Sequence, residues 1–193
     1  MERSRPAPST PDLVYSPVAR KFHWWTVALI ATLVPLGLYM VWRGEATKFD
    51  ALTGRLYDLH KLLGFTLLCV VVARLVYRFR NGAPADEPTL EWWQKAASHA
   101  THWGIYALLV AVPLGGWLGV SLYGARSIFG IVSLPPLAGQ DQDAAGAIFT
   151  WHFRGAMLLV ILVGAHVGAA LFHHVVRKDG VLRRMLPGLK HPT

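Results

Sequence analysis

A chain of 193 residues that is 53% hydrophobic and 16% charged, with a mean hydropathy of +0.36, is too apolar for a soluble globule and suits one membrane domain. Its formal net charge of +8 would suit nucleic acid, but the basic residues cluster beside apolar stretches, which makes them topology signals and anionic-lipid contacts instead. The single cysteine, Cys69, excludes a disulfide framework and covalent C-x-x-C-H cofactor attachment, and its place in an apolar run reads as a small buried residue.

Residues 1–14 are polar and proline-rich and read as a loose tail ahead of a domain at 15–188, with a short tail at 189–193. Ser16-Pro17 pairs an N-cap with proline at the first helical position. A helix starting there puts His23 about two turns inside it. The first span, 22–42, is too long for a cleavable signal peptide, ends in aromatics and lacks a small-residue cleavage site. Pro35 predicts a kink in it. Asp50 or Thr53 is the expected cap of the second helix, so His60 again lies about two turns in. Its span is 59–79, and Asn81-Gly82 with Pro84 ends it.

Pro88 opens an interfacial segment with Trp92 and Trp93. The third span, 103–123, is preceded by His99 and His102 and carries Pro113, Gly115, Gly116 and Gly119. The loop from Gly124 to about Asp141 has no helical period and is expected to pack as a cap over the bundle. Asp143 is the expected cap of the fourth helix, whose span is 151–174. Four spans with tryptophans at their borders predict an all-α integral membrane protein, an up-down-up-down four-helix bundle.

Basic residues orient it. Arg3, Arg5, Arg20 and Lys21 precede the first span, Arg78, Arg80 and Lys95 separate the second from the third, and Arg177, Lys178, Arg183, Arg184 and Lys190 follow the fourth. The opposite side carries Arg43, Lys48, Arg55 and Arg126. The positive-inside rule therefore puts both termini in the cytoplasm.

Helix direction then sorts the histidines by depth. Helices one and three run outward, two and four inward, so His23 and His166 share the inner level and His60 and His152 the outer one. His152 and His166 are fourteen residues apart on one helical face, about 21 Å along the axis, within a membrane core of about 30 Å. Ionisable groups at such depth are costly and point to function. Each pair suits bis-imidazole ligation of the iron of one b-type haem, a six-coordinate site fitted to electron transfer.

Arg74 lies fourteen residues after His60, at the inner level, and reads either as a haem-propionate partner or as a snorkelling interfacial residue. Gly37 lies fourteen residues after His23, at the outer level, and Gly64, Gly155, Gly164 and Gly168 flank the ligand positions; all suit close approach of a flat macrocycle or ordinary helix packing. His99 and His102 read as interfacial residues or as contacts to a propionate, a quinone headgroup or a proton path; His173 and His174 end helix four, with His173 placed to border an inner quinone pocket; and His191 is part of a tail.

At these residues the chain resembles the bacterial cytochrome b561 family of diheme membrane proteins, from Tyr15 to Gly188. The resemblance rests on Phe22-His23-Trp24, on Leu59-His60-Lys61 with Arg74, on SHATHWGIYALLVAVPLGGW, FGIVSLPPL, WHFRG and GAHVGAALFHHVV, and on the ending DGVLRRMLPG. It implies a four-helix bundle with two b haems on His23, His60, His152 and His166, exchanging electrons between a membrane quinone and a partner across the membrane. The branch it looks most like oxidises periplasmic superoxide to oxygen and reduces ubiquinone, so a superoxide oxidase of the bacterial inner membrane is the leading expectation. Lys61 and Arg154, beside the outer ligands, are expected either to steer the anion or to anchor the interface. The alternatives are a cytochrome b anchor that passes electrons for a hydrogenase or formate dehydrogenase with a redox partner subunit, and a haem-binding membrane protein without turnover.

Overall fold

The computed structural model describes residues 14–189. The tails expected at 1–14 and 189–193, with Arg3, Arg5, Lys190 and His191, lie outside the described residues except for Val14 and Leu189. Four long helices, α1 (Pro17–Thr47), α2 (Ala51–Asn81), α3 (Trp92–Tyr123) and α4 (Gln142–Phe172), form an all-α membrane bundle. Each has the length and composition to cross a membrane. Each also outlasts its apolar run: the 31 residues of α1 make a rod of about 46 Å against a core of about 30 Å, so its end turns stand clear of the hydrocarbon.

The caps explain the boundaries. Ser16 Oγ accepts from the Ala19 N–H at 3.2 Å with Pro17 opening α1, and Asp50 accepts from the Thr53 N–H at 2.9 Å to open α2. Between them the chain reverses in three residues, with Lys48 and Phe49 in the left-handed region (φ 52° and 64°). Two expectations are corrected. Trp92 and Trp93 do not form a separate interfacial segment but are the first turn of α3. Asp143 is not the cap of α4: Asp141 is, accepting from the Ala144 N–H at 3.0 Å, and Asp143 lies in the first turn, where its charge still complements the helix dipole. Pro35 and Pro113 sit within continuous helices.

α1 packs on α2, α2 on α3 and α3 on α4, while α1 and α4 are not closely packed. The core is a short apolar plug of Leu29, Leu33, Leu67, Val71, Leu109 and Leu159. Most other large apolar side chains face outward, among them Trp25, Trp42, Phe79 and Ile161, as a lipid-facing surface requires. Cys69 is exposed on that surface rather than buried, because a thiol is apolar enough to face lipid.

Both ends are closed by short structure. At one end, β1 (Ser127–Ile128) and β2 (Val132–Ser133) form an antiparallel hairpin whose Ile128 and the following Leu134 are buried. It is tied down by Trp117 Nε1 donating to the Pro135 carbonyl (2.9 Å), Arg126 to the Leu134 carbonyl (2.8 Å) and the Phe129 N–H to Asp58 (2.9 Å). The expected cap over the bundle is therefore a built lid. At the other end, α4 relaxes into a π-helical turn (His173–Arg177), and the chain folds back through a 3-10 turn (Leu182–Arg184) to meet α1. There the Tyr15 N–H donates to the Arg184 carbonyl at 3.2 Å, so the start of α1 and the C-terminal segment meet at the same end.

Candidate functional site

The apolar plug separates two levels of imidazoles. On the hairpin side, His60 of α2 faces His152 of α4 with ring centres 6.1 Å apart and planes at 79°. On the terminal side, His23 of α1 faces His166 of α4 at 6.4 Å and 68°. These are the two pairs expected from depth alone.

The spacing can be tested against metal ligation. With a metal–nitrogen bond of about 2 Å and about 1 Å more from nitrogen to ring centre, two opposed imidazoles on one ion sit about 6 Å apart. Both pairs match. Among the described residues no three His, Cys, Asp or Glu side chains converge on one point. Two opposed donors suit an iron whose other four positions a macrocycle fills.

Hydrogen bonding adds to the fit at the outer level. His152 Nδ1 lies 2.8 Å from the Val112 carbonyl, which can only accept, so Nδ1 bears the proton and Nε2 is left free as a ligand. His60 Nδ1 is enclosed with no partner. Both rings lie against glycine: a Cβ on Gly116 would stand 3.1 Å from His152 Cε1 and Nδ1, and one on Gly37 would stand 3.1 Å from His60 Cε1. Gly37 thus makes room for a histidine ring rather than directly for a macrocycle. Gly155 is a packing glycine against Val112, while Gly64, Gly164 and Gly168 have open space within 4 Å.

The inner level is wider. A cavity of about 1030 Å³, at the upper limit of ordinary ligand pockets, is lined by His23, Arg74, His102, Tyr106, His166 and His173 among others. Arg74 does not snorkel. Its guanidinium lies 3.2 Å from His23 Nδ1 and 5.1 Å from the Tyr106 ring centre. A guanidinium only donates, so Nδ1 accepts here and the proton sits on Nε2. Ligation through Nε2 needs the opposite tautomer, with Arg74 turned to another acceptor; a carboxylate at that depth is one.

His102 belongs to the inner level. Its ring centre is 5.1 Å from that of His166, and its Nδ1 is 3.3 Å from Ser98 Oγ, which makes it a third imidazole of the inner level rather than an interfacial residue. The signal was available: Gly116 lies fourteen residues after it, and Tyr106 and Leu109 continue the same buried stripe. His99 does stay at the surface, paired with Asp86 at 3.2 Å. His173 meets buried Asp179 at 2.5 Å, and His174 Nδ1 is enclosed without a partner.

Lys61 is also reassigned. It pairs with Asp58 at 2.7 Å and donates to the carbonyls of Ala125 (3.1 Å) and Ser127, so its charge fastens α2 to the lid and is not free to steer an anion. Arg154 is exposed.

Comparison with known proteins bears on this geometry. The model of the family described as prokaryotic cytochrome b561 matches residues 14–188. Cytochrome b561 homolog 2 of Escherichia coli (strain K12) is 32% identical over 182 residues, covering 92% of this chain and 93% of that protein. A protein of Yersinia pestis named "Probable superoxide oxidase CybB" is 30% identical over 130 residues, 67% of this chain and 73% of its own. An Azotobacter vinelandii protein named "Probable Ni/Fe-hydrogenase B-type cytochrome subunit" is 25% identical over 215 residues, 91% of this chain and 86% of its own.

Proposed function

The chain belongs to the prokaryotic cytochrome b561 family, haem b proteins of membrane electron transfer, and is a multi-pass protein of the bacterial inner membrane; from that premise we propose that it holds two haems b and carries electrons from periplasmic superoxide to ubiquinone. In this reading His60 and His152 would hold the outer haem and His23 and His166 the inner one, with both termini cytoplasmic. The observation that carries it is the pair of imidazole couples, 6.1 and 6.4 Å across, at two levels of one bundle.

Each haem, when bound, would supply one-electron exchange. The chain's own residues supply the rest. The Val112 carbonyl fixes the His152 tautomer and orientation. Arg74 would offer a half-buried positive charge to a propionate. The leucine plug keeps water out between the levels. Arg154, exposed near the outer level, is a cation that would attract superoxide. Two superoxide ions, two protons and one ubiquinone give two dioxygen molecules and one ubiquinol. The inner cavity would take the inner haem between His23 and His166, and ubiquinone would be reduced from the cytoplasmic side.

Purified protein should show two b haems per chain, reduced by superoxide in stopped flow and reoxidised by ubiquinone. A two-haem spectrum with no superoxide-driven reduction rejects the donor and leaves the cytochrome. A second reading, electron-transfer subunit of a larger oxidoreductase, draws on the similarity to the hydrogenase cytochrome subunit and on the lid's exposed tip, where Ile131 is 88% accessible. Copurification of a large redox subunit favours it. A chain that binds haem but reacts with neither donor nor quinone is a haem-binding protein without turnover.

A further inference from the structure

We propose that the groove between the start of α1 and the C-terminal segment is a binding site for the headgroup of one anionic phospholipid. The groove holds about 620 Å³ and is walled by Arg20, Lys21, Trp24 and Trp25 on one side and by Leu186 and Pro187 on the other.

The walls are held together. Besides the Tyr15–Arg184 backbone bond at 3.2 Å, the Arg184 guanidinium lies 5.4 Å from the Tyr15 ring centre. The charge is unbalanced. No carboxylate lines the groove, and neither Arg20 nor Lys21 enters an ion pair among the described residues. Arg20 Nε has no hydrogen-bond partner among the described residues, and phosphate oxygens match the fork of a guanidinium.

The surroundings select a lipid over a free anion. Trp24 and Trp25 are 42% and 65% accessible at the border of an apolar run, the depth at which indoles meet headgroups. Ala28 closes the groove at the membrane side, where acyl chains would continue along α1. A phosphodiester with net negative charge and two apolar tails satisfies cations, indoles and apolar wall together; a zwitterionic lipid brings its own cation and does not. This site is independent of haem and of the electron donor.

The test uses the full-length haem-loaded protein in detergent, titrated with dioleoylphosphatidylglycerol, with dioleoylphosphatidylcholine and with inorganic phosphate, and read by native mass spectrometry. Phosphatidylglycerol should bind as one tight equivalent and phosphatidylcholine more weakly. Phosphate at millimolar concentration should not displace the lipid. Arg20→Gln with Lys21→Gln should weaken phosphatidylglycerol binding about twentyfold, taking the usual contribution of each basic residue at an anionic surface. Arg80→Gln with Lys95→Gln, the same charge removed outside the groove, should leave it within about twofold. Equal loss in both variants, no preference between the lipids, or displacement by phosphate overturns the proposal. If the groove variant does not fold, the wild-type lipid preference and the phosphate competition still decide.

Discussion

Gly116→Ala separates folding from cofactor binding. The added Cβ would stand 3.1 Å from two atoms of the His152 ring, several tenths of an ångström inside ordinary contact. The ring must retreat, and what it retreats from is the 2.8 Å bond to the Val112 carbonyl on the same helix. Losing that bond costs about 1 kcal/mol, while replacing a helical glycine by alanine returns about 0.8–1.0 kcal/mol, so the bundle should be about as stable as before. The ligand should not be as good: changing the partner that orients a metal-bound histidine typically costs about 10- to 100-fold in affinity. Haem titrated into haem-free protein, followed by Soret absorbance, should show one site unchanged and one weakened by that factor. The thermal unfolding of the haem-free chain should stay put. Gly146→Ala, at a glycine with nothing within 4 Å of the added Cβ, is the control. Two unchanged sites in Gly116→Ala, or loss of the His23–His166 site first, would refute the reasoning.

Three further outcomes are expected. His152→Ala should yield a folded bundle with one haem, identified as the inner one by its unchanged spectrum; loss of both would contradict the pairing. Lys61→Met should cost about 2 kcal/mol by breaking a charged anchor and should raise hydrogen exchange at 125–134, with little effect on the salt dependence of superoxide oxidation, whereas Arg154→Glu should flatten that salt dependence without loosening the lid. Hydrogen bonds from the Thr53 N–H and hydroxyl, then from Arg43, hold the Asp50 carboxyl down at about 2. Its contribution to stability is therefore complete above about pH 4 and lost as pH falls toward 2; Asp50→Asn should abolish that acid sensitivity of the α1–α2 turn, read by circular dichroism.

The histidine pairs were legible because short connections alternate the helix directions, so position along each helix becomes depth. The interval of fourteen residues recurs on every helix: His23 to Gly37, His60 to Arg74, His102 to Gly116 and His152 to His166. Three of these were visible as such, and the fourth marks the missed His102. Lys61 was misread because adjacency to His60 along the chain says nothing about Ala125 and Ser127, which are brought to it only by the lid's fold. Cys69 was misread because an apolar run in a membrane helix marks the lipid face as readily as the core. The groove of the further inference was not legible at all, since it joins residues at opposite ends of the chain.

The vertical offset of the two imidazole levels has an electrical meaning. Fourteen residues of α4 are about 21 Å, roughly two thirds of a core of about 30 Å. An electron following the proposed route inward would move that fraction of a unit charge toward the negative side of an energised membrane, against about 1.5 kcal/mol for every 100 mV. The route therefore works as a small uphill step in voltage, and its direction rests on the potential difference that unequal surroundings impose on the two sites: a tight outer site clasped by Val112 and glycine, and a wide inner one with a guanidinium beside it.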